Sequence, residues 1–345
     1  MFSVSLGSDN HSGVHPAVWK ALLKADEGFT PAYGEDPLTL KVLNKLELLF
    51  GGDCQACFVM TGTGANVVAL QNLVKSFNAI FCAQTAHINV DECGAVQKFT
   101  QARLQVIPTP DGKLTPELIS PYLLNNRDQH HSQGKVISIA QSTEYGTLYS
   151  IEELKVLADY THSLGMLLHI DGARLANAAA ALNCSLKEIT KDIGADIISF
   201  GGTKNGLLFG EALISFRPDL TSDIRFYRKQ CTQLFSKMRY ISAQFDVYLE
   251  DELWRKNASH ANEMAALLGN FLKKIPEVEL IQPVEVNSLF VRMPRNSIEE
   301  LQEKYHFYIW DEVRNVVRLM CSFNTTEEHI EEFIFDLKSS LAQSL

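Results

Sequence analysis

The feature that most constrains this chain is an alternation. Through its first three-fifths, short apolar runs are separated by longer stretches with helical periodicity. The short runs fall at residues 56–60, 79–82, 104–107, 136–140, 166–170, 197–200 and 212–216. A strand that is apolar throughout is covered on both faces, and long connections supply the covering helices. The pattern predicts an α/β domain built on a mostly parallel, seven-stranded sheet. Pro16 opens one helix, which Gly28 ends. A second runs from Pro37 to Phe50, with Leu38, Val42, Leu46 and Leu49 on one stripe and Gly51-Gly52 as its stop. Ser150 and Glu153 read as a capping box that opens a third, to about Leu164.

Beyond Phe216 the texture changes. Residues 219–274 read as almost continuous helix, with Leu234, Met238, Ile241, Phe245 and Tyr248 on one face and Pro276 as the stop. The remainder alternates strands (289–292, 316–320) with helices (297–304, 326–341), the last opened by a capping box of Thr325 and Glu328. The expected division is therefore an N-terminal arm and large domain over 1–255, and a small C-terminal α+β domain over 256–345.

Composition excludes several classes of function. A net charge of -10 argues against nucleic acid or an anionic membrane as partner. No apolar run reaches the length of a membrane span, and the first residues lack a basic segment followed by an apolar one. Seven scattered cysteines suit a reducing compartment, so a cytoplasmic location is expected. Cys54 and Cys57 have redox or zinc spacing, but no second pair follows; two thiols entering a buried strand is the reading adopted, and no metal site is expected.

Two strand ends carry the chemistry. Asp171 ends the run Leu168-His169-Ile170-Asp171, and Lys204 follows the run ending at Phe200, in Gly201-Gly202-Thr203-Lys204-Asn205-Gly206. A lysine and an aspartate brought together in this way are what pyridoxal phosphate chemistry needs. The amine forms a Schiff base with the cofactor aldehyde, and the carboxylate keeps the pyridine nitrogen protonated so that the ring can absorb electrons.

Thr61-Gly62-Thr63-Gly64-Ala65-Asn66 follows a strand and opens an amphipathic helix carrying Val67, Val68, Leu70, Leu73 and Val74, a natural seat for a phosphate. It lacks the third glycine of a dinucleotide fingerprint and the Lys-Ser/Thr of a Walker loop. His87 follows another strand, where an imidazole could stack on a flat cofactor. Arg174, three residues beyond Asp171, offers a planar fork to the same crevice. Arg318 is embedded in the apolar run Val316-Val317-Arg318-Leu319-Met320, so an anion must meet it. Arg292 invites the same argument more weakly, and His130-His131 reads as solvated surface.

Taken in order, these segments resemble the threonine aldolase / aromatic amino acid β-eliminating lyase family of fold-type I pyridoxal phosphate enzymes. The matching stretches are Ser8-Asp9-Asn10, Ala32-Tyr33-Gly34-Glu35-Asp36-Pro37, Thr61 to Asn66, His87, His169 to Arg174, Thr203-Lys204 and Val317-Arg318-Leu319. The resemblance implies that Lys204 is the Schiff-base lysine, Asp171 the partner of the pyridine nitrogen and His87 the residue stacked on the ring. Gly62, Thr63 and Thr203 would contribute to the cofactor site. Arg174 would lie near the cofactor's phenolic oxygen and the substrate carboxylate, which Ser8 and Arg318 would clamp. Tyr33 matches a tyrosine at the mouth of the site, and Arg239 is a further candidate. The family is oligomeric, which implies a homodimer or a homotetramer (a dimer of dimers) with sites at the dimer interface.

Where many of these enzymes carry Asn-Thr-His-Asn-Gly, this chain has Ser142-Thr143-Glu144-Tyr145-Gly146, so Glu144 becomes a candidate for the group that accepts the substrate's β-hydroxyl proton. His87, or a water between the two, are the other candidates. Gly7 replaces the usual Arg before the Ser-Asp pair. The activity implied is retro-aldol cleavage of L-threonine, L-allo-threonine or related L-β-hydroxy-α-amino acids to glycine and an aldehyde. β-Elimination or other chemistry at Cα is the alternative, since the same lysine and aspartate serve both; a non-catalytic relative or a nucleotide-dependent oxidoreductase is disfavoured.

Overall fold

The computed structural model describes residues 4–123 and 128–343. All seven expected runs in the first part form strands: β1 (Gln55–Val59), β2 (Asn78–Ala83), β3 (Arg103–Ile107), β4 (Gln133–Ala140), β5 (Leu167–Asp171), β6 (Ile197–Gly201) and β7 (Glu211–Ser215). They make one sheet in the order β1-β7-β6-β5-β4-β2-β3. Its pairings are parallel from β3 through to β6, whereas β7 runs antiparallel to both β6 and β1. The reversal has a simple cause. Residues 202–210 are too short a connection for a crossover helix, so β7 returns beside β6 as a hairpin would.

Three helices were legible at both ends. Helix α1 (Pro16–Ala25) and helix α2 (Pro37–Leu49) each start on proline, and Gly28 and Gly51 beyond them adopt φ of +66° and +94°. The helix Ile151–Ser163 opens with the expected reciprocal capping box of Ser150 and Glu153. Helix α3 (Gly62–Leu73) departs from expectation: Gly64 through Leu70 are all buried, so it is not amphipathic. One side lies on β5, β6 and β7, and the other is covered by helices Ala95–Thr100 and Ile224–Gln230. A helix enclosed on both sides has no polar face to show.

The long helix expected over 219–274 is three helices: Ile224–Gln230, Arg239–Leu249 and Leu253–Leu272. Thr232, Asp251 and Glu252 sit in the left-handed region and interrupt it. Ile241, Phe245 and Tyr248 are buried as expected, while Leu234 lies outside the helices. The final helix, Glu327–Gln343, is capped one residue later than anticipated. Thr326 Oγ1 accepts from His329 N–H (3.3 Å) and Thr326 N–H donates to His329 Nδ1 (3.2 Å), while Thr325 Oγ1 accepts from Ser322 N–H.

The second sheet is antiparallel, in the order β10-β11-β9-β8, with β8 (Glu279–Leu280), β9 (Ser288–Arg292), β10 (Tyr308–Asp311) and β11 (Val316–Met320). β8 and β10 are too short and polar for the sequence pattern to mark. The small core behind this sheet includes Leu268, Leu289, Val317, Leu319 and Phe333. Val4 and Leu6, counted with the large domain in the division at 255, also enter this small core. Leu6 N–H donates to His306 O, and Leu6 O accepts from Met320 N–H (2.7 Å). Helix Leu253–Leu272 joins the two cores, with Trp254 and Ala258 in the large one and Met264, Ala265, Leu268 and Leu272 in the small one. No helix among the described residues is long and apolar enough to cross a membrane.

At the C-terminal ends of β5 and β6 the two backbones touch. Gly201 N–H donates to Gly172 O (3.0 Å), a Cβ on Gly172 would meet Ser199 O at 2.0 Å, and one on Gly201 would meet Ala173 O at 2.3 Å. Backbone atoms cannot rotate aside, so an added methyl forces the strand ends apart. Gly172→Ala is expected to lower the stability of the protein by about 1–3 kcal/mol, measured by urea denaturation.

Candidate active site

The polypeptide turns sharply after each of these strand ends, and the turns present Asp171 and Lys204. Gly172 N–H donates to Ser199 Oγ (2.9 Å), tying the turn after β5 to β6. Lys204 lies in the single 3-10 turn Thr203–Asn205. That turn is anchored from below: Asn205 Nδ2 donates to Tyr248 Oη (2.7 Å) and Trp254 O (2.7 Å), and Asn205 O accepts from Asn257 Nδ2 (2.9 Å). Thr203 Oγ1 accepts from Gly210 N–H (3.1 Å), closing the loop against the start of β7. Lys204 itself is only half-buried, and its charge acts on Asp171, Asp9 and Glu211.

Asp171 is buried, and burial alone would raise its carboxyl pKa. The hydrogen bond from Asn66, the backbone N–H of Ala173 and the charge of Lys204 together outweigh burial, so the group is held below the usual carboxylate range. Asn66 Nδ2 donates to Asp171 Oδ2 (2.8 Å) and to Glu92 Oε1 (2.7 Å). Glu92 Oε1 also faces His87 Nδ1 at 2.9 Å. His87 begins the short helix His87–Val90 after β2. Its pKa is raised, chiefly by Glu92 and then by the charges of Glu144 and Asp171, against the effect of burial. One strand-end aspartate and one strand-end histidine are thus joined through Asn66 and Glu92.

A second buried carboxylate also feels the charge of Lys204. Glu211, opposite Gly201 in the β6–β7 register, accepts from Gly202 N–H (2.9 Å), and burial pushes its carboxyl up to about 7. His169 is enclosed two residues before Asp171, with Nδ1 at 2.8 Å from Ser138 Oγ, and burial pushes its imidazole down to about 4.

The two arginines behave oppositely. Arg174 is buried and bound by both oxygens of Asp9, Nε to Oδ2 at 2.7 Å and Nη2 to Oδ1 at 2.9 Å. Burial works against its charge, but Asp9 more than compensates and raises its pKa. Asp9 also accepts from Asn287 Nδ2 (3.2 Å). Arg318 has no such carboxylate among the described residues. Its Nη2 donates to Gly7 O (3.2 Å), its Nε is buried without a partner among the described residues, and its guanidinium lies over the rings of Trp310 (5.5 Å) and Tyr308 (5.6 Å). Burial, and then the charge of Arg174, lower its pKa. A buried, under-paired guanidinium is a receptor for an anion. Ser8, beside Gly7, caps the turn Asp9–His11 through Asn10 N–H (3.2 Å). Glu144 is half-buried on the loop after β4, and its charge acts on His87, Arg174 and Arg318 alike.

Thr61 caps α3, its Oγ1 accepting from Gly64 N–H (3.0 Å). The N–H groups of Gly62 and Thr63 precede the first intrahelical bonds, and no atom lies within 4 Å of where a Gly62 Cβ would stand. This is open space at a positive helix end, the setting for a phosphate. Gly64 is needed for a different reason: its missing Cβ leaves room for the Gln233 side chain at 2.2 Å, whose Oε1 accepts from Met60 N–H.

Some candidates are not brought to this cluster within one chain. Tyr33 is exposed, with φ of +60°, and contacts Ser236 and Lys229. Arg239 Nη1 donates to Gly28 O (3.1 Å) on the same surface. Arg292 pairs with Glu279 at the far end of β9. Cys54 and Cys57 are free thiols, and burial pushes Cys54 up to about 11. The sequence reading passed over Asp9, Asn66, Glu92 and Glu211. Asp9 and Asn66 lie inside motifs quoted above, whereas Glu92 and Glu211 reveal themselves only by their burial.

The residues present fit pyridoxal phosphate. Asp171, held below the usual carboxylate range, would suit a cationic ring nitrogen, the charge of Lys204 acts on it, and α3 opens towards room for a phosphate. Comparison with known proteins agrees. The sequence model of the Beta-eliminating lyase family matches residues 5–296. A low specificity L-threonine aldolase from Pseudomonas sp. (strain NCIMB 10558) is 40% identical over 342 residues, covering 99% of each chain. One from Pseudomonas aeruginosa is 39% identical over 333 residues, covering 96% of each. The solved structure of a Leishmania major threonine aldolase superposes with a TM-score of 0.93 at 30% identity, over 97% of this chain and 99% of that one. The family and the fold are those of pyridoxal phosphate-dependent enzymes, and this chain, matched along most of its length, belongs to the beta-eliminating lyase family.

Proposed function

We propose that the protein cleaves L-threonine, L-allo-threonine and related L-β-hydroxy-α-amino acids to glycine and an aldehyde by a retro-aldol reaction. The observation that carries this reading is the pairing of a site holding Lys204, Asp171 and an unsatisfied Arg318 with 40% identity to a low specificity L-threonine aldolase. Pyridoxal phosphate supplies, when bound, the electron sink that accepts the electrons of the breaking Cα–Cβ bond. Lys204 would hold its aldehyde carbon, Asp171 its ring nitrogen, Gly62 and Thr63 its phosphate, and His87 the face of its ring, with Thr203 beside Lys204 and Arg174 near its phenolic oxygen.

The chain's own groups do the rest. Arg318, with Ser8 beside it, takes the substrate carboxylate, which exchanges an orphaned guanidinium N–H for a charge-assisted hydrogen bond. Fixing the carboxylate in this way orients the bond to be broken. Arg174, already held by Asp9, positions the inner wall of the crevice and has further N–H groups for the same carboxylate. Glu144, His87 or a water between them receives the β-hydroxyl proton. His87 follows β2 and Glu144 follows β4, both beyond the C-terminal ends of their strands, and the charge of Glu144 acts on His87.

The protein is read as a homodimer or homotetramer with a small amino-acid substrate, in the cytoplasm. What supports assembly is an apolar surface: Trp19, Leu23, Phe29, Tyr33 and Leu40 are exposed on α1, on α2 and on the segment between them. A second copy there would bring Tyr33 to a neighbouring crevice. β-Elimination remains the second reading, because the family description itself names it.

The holoenzyme is to be incubated with L-threonine, L-allo-threonine, phenylserine and an amino acid bearing a β-leaving group. Aldehyde without ammonia is expected from the first three, and Lys204→Ala should abolish it; pyruvate with ammonia as the main product would overturn the proposal. Arg318→Ala should cost about 2–5 kcal/mol in kcat/KM, roughly thirtyfold or more, because it removes the carboxylate's buried partner. Glu144→Ala separates these candidates in steady-state cleavage of L-allo-threonine: a fall in kcat of roughly 100-fold would assign the proton to the carboxylate. An undiminished rate would pass that role to His87.

A further inference from the structure

Glu92 is buried, with its side chain wholly inside the protein, and no established role accounts for it. An enclosed carboxylate is costly unless it is satisfied. Here one oxygen is doubly engaged, by His87 Nδ1 (2.9 Å) and Asn66 Nδ2 (2.7 Å), and the other has no partner among the described residues. Asn66 spends both N–H bonds on Glu92 and Asp171, leaving its own carbonyl oxygen buried and unpartnered. A chain that needed only packing at these positions would place apolar residues there.

Resting on the aldol reading above, we propose that Glu92 is the positioning residue of the site: it holds the Nδ1–H tautomer of His87, so that Nε2 is the ring's proton acceptor, and through Asn66 it fixes Asp171. With Nδ1–H donating to Glu92, the lone pair of a neutral imidazole lies on Nε2. No partner for Nε2 is recorded among the described residues, and the ring retains 29% of its side-chain exposure, so this nitrogen is accessible to a substrate hydroxyl. The proton then moves from the β-hydroxyl oxygen to Nε2, the Nδ1–H stays in place, and the imidazolium formed is stabilised by the Glu92 carboxylate 2.9 Å away. Asn66 cannot ionise. It therefore separates Glu92 from Asp171 without letting a proton pass between them, and each carboxylate keeps its charge.

The charged groups that act on His87 are Glu92, Glu144, Asp171 and Lys204, and Glu92 is foremost among them. Replacing its charge by an amide removes the main stabilisation of imidazolium, so the ring's pKa falls. An imidazole acting as base is active when unprotonated, so the acid limb of the kcat/KM profile moves to lower pH while the plateau drops, a weaker base being a poorer acceptor.

The test uses 15N-histidine NMR on the cofactor-free protein together with the pH profile of the holoenzyme. In the wild type, His87 should show a protonated Nδ1 and titrate above the ordinary histidine range. In Glu92→Gln, its proton affinity should fall roughly tenfold or more, and the acid limb should shift by the same amount. Asn66→Ala, which leaves Glu92 charged, should retain the raised titration of His87. A wild-type His87 protonated on Nε2, or titrating at or below the free imidazole, overturns the proposal even if the variants do not fold. So does a Glu92→Gln protein that folds and leaves the titration unmoved. Failure of the wild type to release aldehyde would instead sink the aldol reading, and the NMR result would stand apart from it.

Discussion

Everything in the site depends on how closely the ends of β5 and β6 approach. Two strands in a parallel sheet hold their backbones a fixed distance apart, but here the turns beyond them also touch, with Gly172 O accepting from Gly201 N–H. Only residues without a Cβ permit it. The contact decides where Asp171 and Lys204 emerge, and the Asn205 anchors beneath the lysine turn keep it there. Site precision therefore comes from rigid elements, and the loops carry only what must respond to substrate.

A chain with a net charge of -10 nevertheless gathers Lys204, Arg174 and Arg318 in one crevice. It does so by giving each a different electrostatic setting. Arg174 is neutralised by Asp9 and serves as wall. Arg318 is enclosed without a carboxylate of its own and so remains available. Lys204 faces Asp171 and Glu211, and Glu211, pushed up to about 7 by burial, can change its charge near neutrality. Positive potential in the crevice is thus local, and the negative exterior does not need to supply it.

Much of this was legible in the order of residues. Strands enclosed on both faces announce themselves by apolar runs, and all seven in the large sheet were found, six of them within one residue at each end and β4 starting three residues earlier than its run. Caps at Pro16, Pro37 and Ser150 worked because the chemistry of a helix start is local. Failures occurred where the third dimension decides. Helix α3 looked amphipathic because nothing local records that a second layer of helices covers it. Three left-handed residues, none of them glycine, broke the long helix without any compositional signal. Lys204, Asp171 and Arg318 stood out as charges beside apolar strands. Asp9 was passed over because Arg174, its partner, is far away in the sequence, and Glu92 because a carboxylate between two short helices ordinarily belongs to the surface.

The N-terminal arm has a consequence for how the protein comes into being. Asp9 binds Arg174 and Asn287, Leu6 pairs with Met320, and Val4 fills the core behind β11. The arm precedes all of these partners in the chain, and Asn287 and Met320 lie far beyond Arg174. Until β11 has been made, Leu6 and Val4 lack the strand they dock on, although Asp9 and Arg174 are both already in the chain. Packing of the large domain can begin during synthesis, but the arm docks only after β11 has followed, so a nascent chain that stops short of β11 lacks a finished crevice.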